Sequence, residues 1–179
     1  MIKLLIGVVI VAFVVVVGFL IIDPDLTQFN SQTSLTEIST TEGSRYTIEG
    51  QVHKAGTYVL SDAVTMADLI EAAGGTTANA DDLAYFSTAE LSANSTYYIA
   101  GKYDESDICA TTEIEKVNIN EDTAEQLMSV SGITTSIATS IVSYRNENGL
   151  YNTIEDVLNV YGIGNATYHK IRNYVILHT

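Results

Sequence analysis

The chain has 179 residues, with one cysteine, one proline and no tryptophan. This composition excludes a disulfide scaffold, a collagen-like repeat and a proline-rich stalk, and the length allows one medium domain or two small ones. Eight Lys and Arg against 22 Asp and Glu give a formal charge of −14, which argues against a general nucleic-acid coat protein. The acids are concentrated in residues 23–113, where 15 acids accompany three bases, whereas residues 114–179 hold seven acids and four bases. Any nucleic-acid contact is therefore expected in the C-terminal third.

The first 22 residues predict a transmembrane anchor. Residues 4–22 contain no polar side chain, and about 20 apolar residues span the hydrocarbon core of a bilayer. A cleaved signal peptide is the alternative, but the apolar stretch is long for one and ends at Asp23-Pro24-Asp25 without a small-x-small cleavage site. Lys3 on the short side predicts a cytoplasmic N-terminus by the positive-inside rule. We therefore expect a single-pass protein of the cell membrane with the bulk of its chain extracellular, followed by a flexible polar linker over residues 23–44.

The segment after the linker predicts a small module of strands and one helix. Apolar and polar residues alternate on both sides of Lys54-Ala55-Gly56, which indicates a β-hairpin. Thr65 is the predicted N-cap of a helix that ends at Gly74-Gly75, and Asp68 stands at the capping-box position. Residues 96–100 read as a closing strand.

This order of elements over residues 45–100 resembles the SLBB (soluble-ligand-binding β-grasp) domain. The resemblance is carried by Gly50 with Val52, Gly56 with Tyr58, Val64 with Leu69-Ile70, and Ala73-Gly74-Gly75. The family name implies ligand binding, but function does not follow from fold. No cluster of His, Cys or carboxylates has metal-ligand spacing here, so we expect an interaction or spacing role without an assigned site. The polar, aperiodic residues 101–113 are typical of a linker between domains.

Residues 114–179 predict four helices with an approximate internal duplication. Each half consists of a helix, a Gly-Ile turn and a second helix, over residues 121–147 and 154–176. Asn120 is the predicted N-cap of the first helix, which ends at Val130, and Gly149 ends the second helix. Thr153, with Asp156 three residues later, starts the third helix. The fourth helix is predicted to turn Ile171, Tyr174 and Val175 inward.

This duplicated segment resembles the tandem helix-hairpin-helix domain. Together with the anchor and the SLBB-like module before it, it resembles the ComEA family of competence DNA receptors. The matching stretches are Val117-Asn118-Ile119-Asn120, Gly132-Ile133, residues 141–149, residues 154–158, and Gly162-Ile163-Gly164 with Lys170-Ile171. The resemblance implies an α+β protein made of an N-terminal transmembrane helix, a small β-grasp (SLBB-like) module and an all-α tandem helix-hairpin-helix domain.

The hairpins are the candidate DNA-binding elements, for a physical reason. Glycine allows positive φ and removes the side chain, so that backbone N–H groups can approach a phosphate, and the following helix adds its positive dipole end. Contacts of this kind would be independent of sequence and sensitive to salt. The alternative is that Gly-Ile-Gly forms only a tight turn between helices. The candidate residues are Gly132, Ile133, Thr134, Arg145, Gly162, Ile163, Gly164, Asn165, Lys170 and Arg172.

The sequence thus predicts a membrane-anchored extracellular receptor that binds double-stranded DNA non-specifically for uptake in natural competence. The family resemblance alone implies hand-over to an uptake channel, and self-association through the SLBB-like module is a further expectation. The alternatives are a surface scaffold protein that keeps the fold without strong DNA affinity, and an SLBB-like module that binds envelope polysaccharide. Because no nucleophile–base or metal-ligand spacing occurs, we expect no enzyme activity, no metal and no cofactor.

Overall fold

A computed structural model describes residues 43–61, 63–104 and 112–179. The predicted anchor over residues 1–22, nearly all of the predicted linker over residues 23–44, and Cys109 lie outside these ranges. Among the described residues, no helix combines the length and apolar character that a membrane crossing requires. Residues 41–179 belong to one compact unit, and its described part is a mixed α and β structure.

The described residues form two modules, which we call the sheet module (residues 43–104) and the hairpin module (residues 112–179). The sheet module contains strand β1 (Ser44–Gly50), strand β2 (Gly56–Leu60), helix α1 (Met66–Ala72), a 3₁₀ turn (Asp82–Ala84) and strand β3 (Ser95–Ile99). The hairpin module contains strand β4 (Val117–Asn118), helix α2 (Ala124–Leu127), helix α3 (Thr135–Asn148), a 3₁₀ helix (Ile154–Asn159), helix α4 (Asn165–Ile171) and strand β5 (Val175–Ile176).

The sheet module has three strands in the order β2-β1-β3. Strand β1 is antiparallel to β2, as the predicted hairpin requires, and parallel to β3. Helix α1 begins where the sequence predicts, because the Thr65 N–H donates to the Asp68 carboxylate at 2.8 Å and the Thr65 hydroxyl accepts from the Asp68 N–H. Its buried Leu69 joins Ile48 and Ile99 in the core of this module. The strand and helix order is the expected one, and the SLBB-like assignment stays a prediction.

The hairpin module is built on a second core that its two halves share. Leu127, Ile141, Val157 and Ile171 are completely buried in it. Its two ends are tied together by a short parallel pair, in which β4 lies beside β5 and Val117 is opposite Val175. The chain therefore closes on itself, and both halves pack as one body.

The prediction that Asn120 caps a helix over residues 121–130 is wrong. Thr123 is the N-cap, and the helix runs only from Ala124 to Leu127. Thr123 wins because Gln126 stands three residues later and completes a capping box, whereas the Asn120 side chain is buried and bonded elsewhere.

The predicted fourth helix is too long. Helix α4 ends at Ile171, Tyr174 is 41% exposed, and Val175 lies in β5. The backbone leaves the helix there because pairing with Val117 fixes an extended conformation. The third predicted helix exists as the 3₁₀ helix, whose start at Thr153 with Asp156 is confirmed.

The two modules share an interface. Lys116 and Asp81 form an ion pair at 2.6 Å with both side chains almost fully buried, and this burial lowers the pKa of Lys116 against the opposing effect of Asp81. The Leu177 N–H donates to the Leu83 carbonyl at 2.8 Å, and the Phe86 ring stacks on His178. These contacts join the start of β4 and the end of β5 to the 3₁₀ turn of the sheet module.

The buried amide of Asn120 bonds the first part of the hairpin module to the segment between its two halves and to its end. Its Nδ2 donates to the Tyr151 and Leu177 carbonyls at 3.0 and 2.9 Å, and its Oδ1 accepts from the Tyr151 N–H at 2.8 Å. Replacing it by alanine leaves three buried backbone groups without partners.

We predict that Asn120→Ala lowers the free energy of unfolding by about 2–4 kcal/mol, because each unsatisfied buried polar group costs about 1–3 kcal/mol. Urea unfolding measures the loss. The exposed Asn152 supplies a matched control, and Asn152→Ala should change stability by less than about 0.5 kcal/mol. Equal effects of the two substitutions would contradict the role given to Asn120.

Candidate nucleic-acid interface

The two hairpins are related by a shift of 30 residues (132 to 162). Residues that differ by this shift occupy corresponding places in the two halves of the structure. The related pairs are Thr123 and Thr153 as N-caps, Leu127 and Val157 in the core, Val130 and Val160 before the turns, Gly132 and Gly162, Ile133 and Ile163, and Ile141 and Ile171. The internal duplication predicted from the sequence is therefore structural.

Each hairpin turns on one glycine and is anchored by one isoleucine. Gly132 has φ +109° and Gly162 has φ +92°, a region that residues with a Cβ rarely adopt. The following residues, Ile133 and Ile163, are buried in the core. Their N–H groups donate back to the Val130 and Val160 carbonyls at 3.0 and 3.1 Å, respectively. The buried isoleucine holds the turn while the glycine backbone before it stays accessible.

Each hairpin packs against the helix that follows the other one. A Cβ placed on Gly132 would lie 3.4 Å from Ile171 and 3.6 Å from Lys170, both on α4. A Cβ placed on Gly162 would lie 3.6 Å from Ile137, on α3. This exchange brings the first hairpin, Ser131-Gly132-Ile133-Thr134, close to α4, and the second hairpin, Tyr161-Gly162-Ile163-Gly164, close to α3.

The helices after the two hairpins begin differently. Thr134 caps α3, and its hydroxyl accepts from the Ile137 N–H at 3.4 Å. Gly164 occupies the same position before α4, where no side chain caps the helix and a Cβ would meet nothing within 4 Å. Because the first N–H groups of a helix have no partners within it, the second hairpin presents donors that the first partly uses itself. Asn165, the first residue of α4, is exposed beside them.

The predicted cations are distributed unevenly around the hairpins. Lys170 is exposed, and its stem lies against Gly132. Arg145 lies near the other end of α3, where its guanidinium donates to the Ile119 and Asp122 carbonyls at 2.8 Å each. Arg172 donates to the Glu49 carboxylate of the sheet module at 3.0 Å. The structure thus brings Lys170 to a hairpin and gives both arginines partners within the chain.

A groove of about 570 Å³ runs beside α4 between the modules, and Glu155 lies in its wall. The Glu155 carboxylate accepts from the Tyr98 N–H at 2.8 Å and from the Tyr168 hydroxyl at 2.6 Å. Burial raises the pKa of Glu155 to about 7, although both hydrogen bonds act in the opposite direction. Sequence reasoning missed this residue, because its neighbour in space, β3, is distant in the chain.

Chemically, the site offers backbone donors on two related turns and one exposed ammonium group. Within the part of the chain that the structure describes, no group of three or more His, Cys, Asp or Glu could hold a metal ion. The arrangement fits an anionic ligand with repeated acceptors rather than a small substrate, because the donors lie on exposed turns and not in an enclosed pocket.

The comparisons with known proteins agree with this geometry. Residues 112–176 match the family model described as "Helix-hairpin-helix motif", so this is a protein of the helix-hairpin-helix class. The chain is 36% identical over 138 residues to ComE operon protein 1 of Bacillus subtilis, a match that covers 72% of this chain and 67% of that protein. The chain therefore belongs to the ComEA-like family, that of ComE operon protein 1.

Two further relatives share a shorter segment. An uncharacterized protein of Haemophilus influenzae is 37% identical over 73 residues, which is 40% of this chain and 65% of that protein. The endonuclease/exonuclease/phosphatase family domain-containing protein 1 of Bos taurus is 47% identical over 60 residues, which is 34% of this chain and 10% of that protein. Because the bovine match spans a tenth of its protein, the activities in that name are not carried over to this chain.

We predict that the stability of the chain falls as the pH rises from 5.5 to 7.5 through the titration of Glu155. A glutamate in the unfolded chain has a pKa of about 4.3, so in this interval the folded chain binds a proton that the unfolded chain has lost. Glu155→Gln should remove roughly 2 kcal/mol of this pH dependence, as measured by urea unfolding at both values.

The control is Glu125→Gln, at the exposed position related to Glu155 by the repeat. It should leave the pH dependence of the wild-type chain unchanged. If Glu155→Gln and the wild-type chain lose stability equally between pH 5.5 and 7.5, the raised pKa is refuted.

Proposed function

We propose that this protein binds double-stranded DNA through the phosphate backbone and acts as a DNA receptor in natural competence. The observation that carries the proposal is the pair of related hairpins, each with a positive-φ glycine before a buried isoleucine. Membership of the ComEA-like family supports the role in competence. The hairpins contact no base in this scheme, so binding should be equal for unrelated duplexes.

We also propose that residues 1–22 anchor the protein in the cell membrane, with the N-terminus cytoplasmic and the rest extracellular. The apolar run over residues 4–22 and the single Lys3 support this arrangement. An anchored receptor holds DNA near the bilayer, where an uptake channel takes it over, and self-association through the sheet module would multiply the weak sites of single chains. No catalytic role is proposed.

A surface scaffold is the second candidate, because Arg145 and Arg172 have partners within the chain. A protein that binds another protein through the hairpins needs few free cations. Anisotropy titrations of the full chain with two unrelated labelled duplexes, at low and moderate salt, separate the two candidates. A DNA receptor binds both duplexes equally at micromolar concentration or below, and loses affinity steeply with salt. A scaffold binds neither at low salt.

We predict that Gly164→Glu weakens DNA binding at least about tenfold, because it places a carboxylate among the donors that face a phosphate. The folded state tolerates the change, since φ at Gly164 is −105° and a Cβ there meets nothing within 4 Å. The neutral Gly164→Gln, of the same size, separates charge from bulk and should lose much less affinity. Unchanged binding by Gly164→Glu would contradict the assignment of the second hairpin.

We predict that Lys170→Ala weakens binding to all duplexes about threefold to fivefold at low salt. Its ammonium group is the exposed cation beside the first hairpin, and losing one phosphate contact should flatten the slope of log K against log salt by about 0.9. Lys54→Ala, on an exposed turn of the sheet module, is the control and should leave the slope unchanged. A loss that depends on the sequence of the duplex would contradict a contact with the backbone alone.

A further inference from the structure

Arg172 follows α4, the helix of the second hairpin, and its side chain reaches across to the sheet module. Its Nη1 donates to the Glu49 carboxylate at 3.0 Å, and its guanidinium carbon lies 3.9 Å from the centre of the Tyr98 ring. Glu49 and Tyr98 are partners across the parallel pair of β1 and β3. The sheet module therefore provides both a flat support and an anionic partner for this arginine.

The position of Arg172 relates it to the start of α4. Asn165, His169 and Arg172 follow one another at intervals of four and three residues, so they lie on one face of the helix. All three line the groove between the modules, and Glu49 lines it too. Seven residues of helix span about 10 Å, so the groove connects the second hairpin to the arginine over two turns.

The Glu49 carboxylate and a DNA phosphate compete for the same donor. Both are oxyanions that accept hydrogen bonds from the edge of a guanidinium group. The Glu49 side chain is 46% exposed and the Arg172 side chain 22% exposed, and an ion pair at the surface contributes only about 0–1 kcal/mol, so an external anion can compete for the guanidinium. Stacking on Tyr98 uses the face of the guanidinium, so the group keeps its place when the acceptor at its edge changes from Glu49 to a phosphate.

We propose that Glu49 limits the affinity of the second hairpin for DNA by occupying Arg172. In the wild-type chain, a phosphate must displace the carboxylate before it gains this contact. When glutamine replaces Glu49, no carboxylate competes for the stacked guanidinium, and it can donate to a phosphate beside the hairpin. The sheet module thus sets how tightly the hairpin module holds DNA, an inference that rests on the proposed DNA-binding function.

The test is a double-mutant cycle on the full chain, with anisotropy of a labelled duplex as the readout at several salt concentrations. Glu49→Gln should raise the affinity about threefold to fivefold and steepen the salt slope by at most about 0.9, because the phosphate contact with Arg172 no longer competes with Glu49 and is made more fully. Glu71→Gln, an exposed glutamate on α1, removes the same charge from the same module and should change neither quantity. Thermal unfolding of each variant checks that the fold is kept.

The Arg172→Gln background decides whether Glu49 acts through Arg172. If it does, Glu49→Gln should alter the affinity there no more than Glu71→Gln does. A gain of equal size with and without Arg172 would overturn the inference, because it would show a general charge effect. If the wild-type chain binds DNA and Glu49→Gln does not change the affinity, this inference alone is overturned. If no variant binds DNA at low salt, the proposed function is overturned as well.

Discussion

The backbone conformation of two glycines, Gly132 and Gly162, is the constraint on which the hairpin module depends. Their positive φ values let the chain reverse within a few residues, so that Ile133 and Ile163 can enter the shared core. A Cβ at either glycine would strain the backbone, because φ is positive there, although its contact with the helix that follows the other hairpin would be an ordinary one. One local requirement thus shapes the turns, the core and the accessible surface together.

A chain with a formal charge of −14 is an unusual partner for a polyanion. The structure explains in part how so acidic a chain could bind a polyanion, because the backbone N–H donors of its hairpins need no cationic side chain. Such donors bring no long-range attraction of their own, since their charges are partial and fixed. The proposed affinity therefore depends on a few contacts, and the loss or gain of a single cation has a visible effect.

Local signals of the sequence predicted local structure well. The capping box of Thr65 and Asp68, the end of α3 at Gly149 and the start at Thr153 are confirmed, because each depends on residues within one turn. Asn120 misled the prediction for the opposite reason. Its side chain satisfies Tyr151 and Leu177, and no local pattern shows partners 31 and 57 residues away.

In the candidate site, too, the local features could be predicted from the sequence and the long-range partners could not. The turn of each hairpin could be predicted from Gly-Ile alone, since glycine and a buried apolar neighbour are both local requirements. The partners of the arginines could not, because Arg145 and Arg172 look like free cations in the sequence. Only the folded chain places Arg145 on the carbonyls after β4 and Arg172 on Glu49.

The contact between the modules changes what the hairpin module can do alone. The Glu155 carboxylate accepts hydrogen bonds from the Tyr98 N–H of β3 and from the Tyr168 hydroxyl of α4. The helix of the second hairpin is therefore positioned by the sheet module as well as by its own core. In a hairpin module without the sheet module, the Glu155 carboxylate would be exposed to water and Arg172 would lose Glu49 as its partner. Its DNA affinity would then differ from that of the whole chain, and for this reason the function belongs to the two modules together.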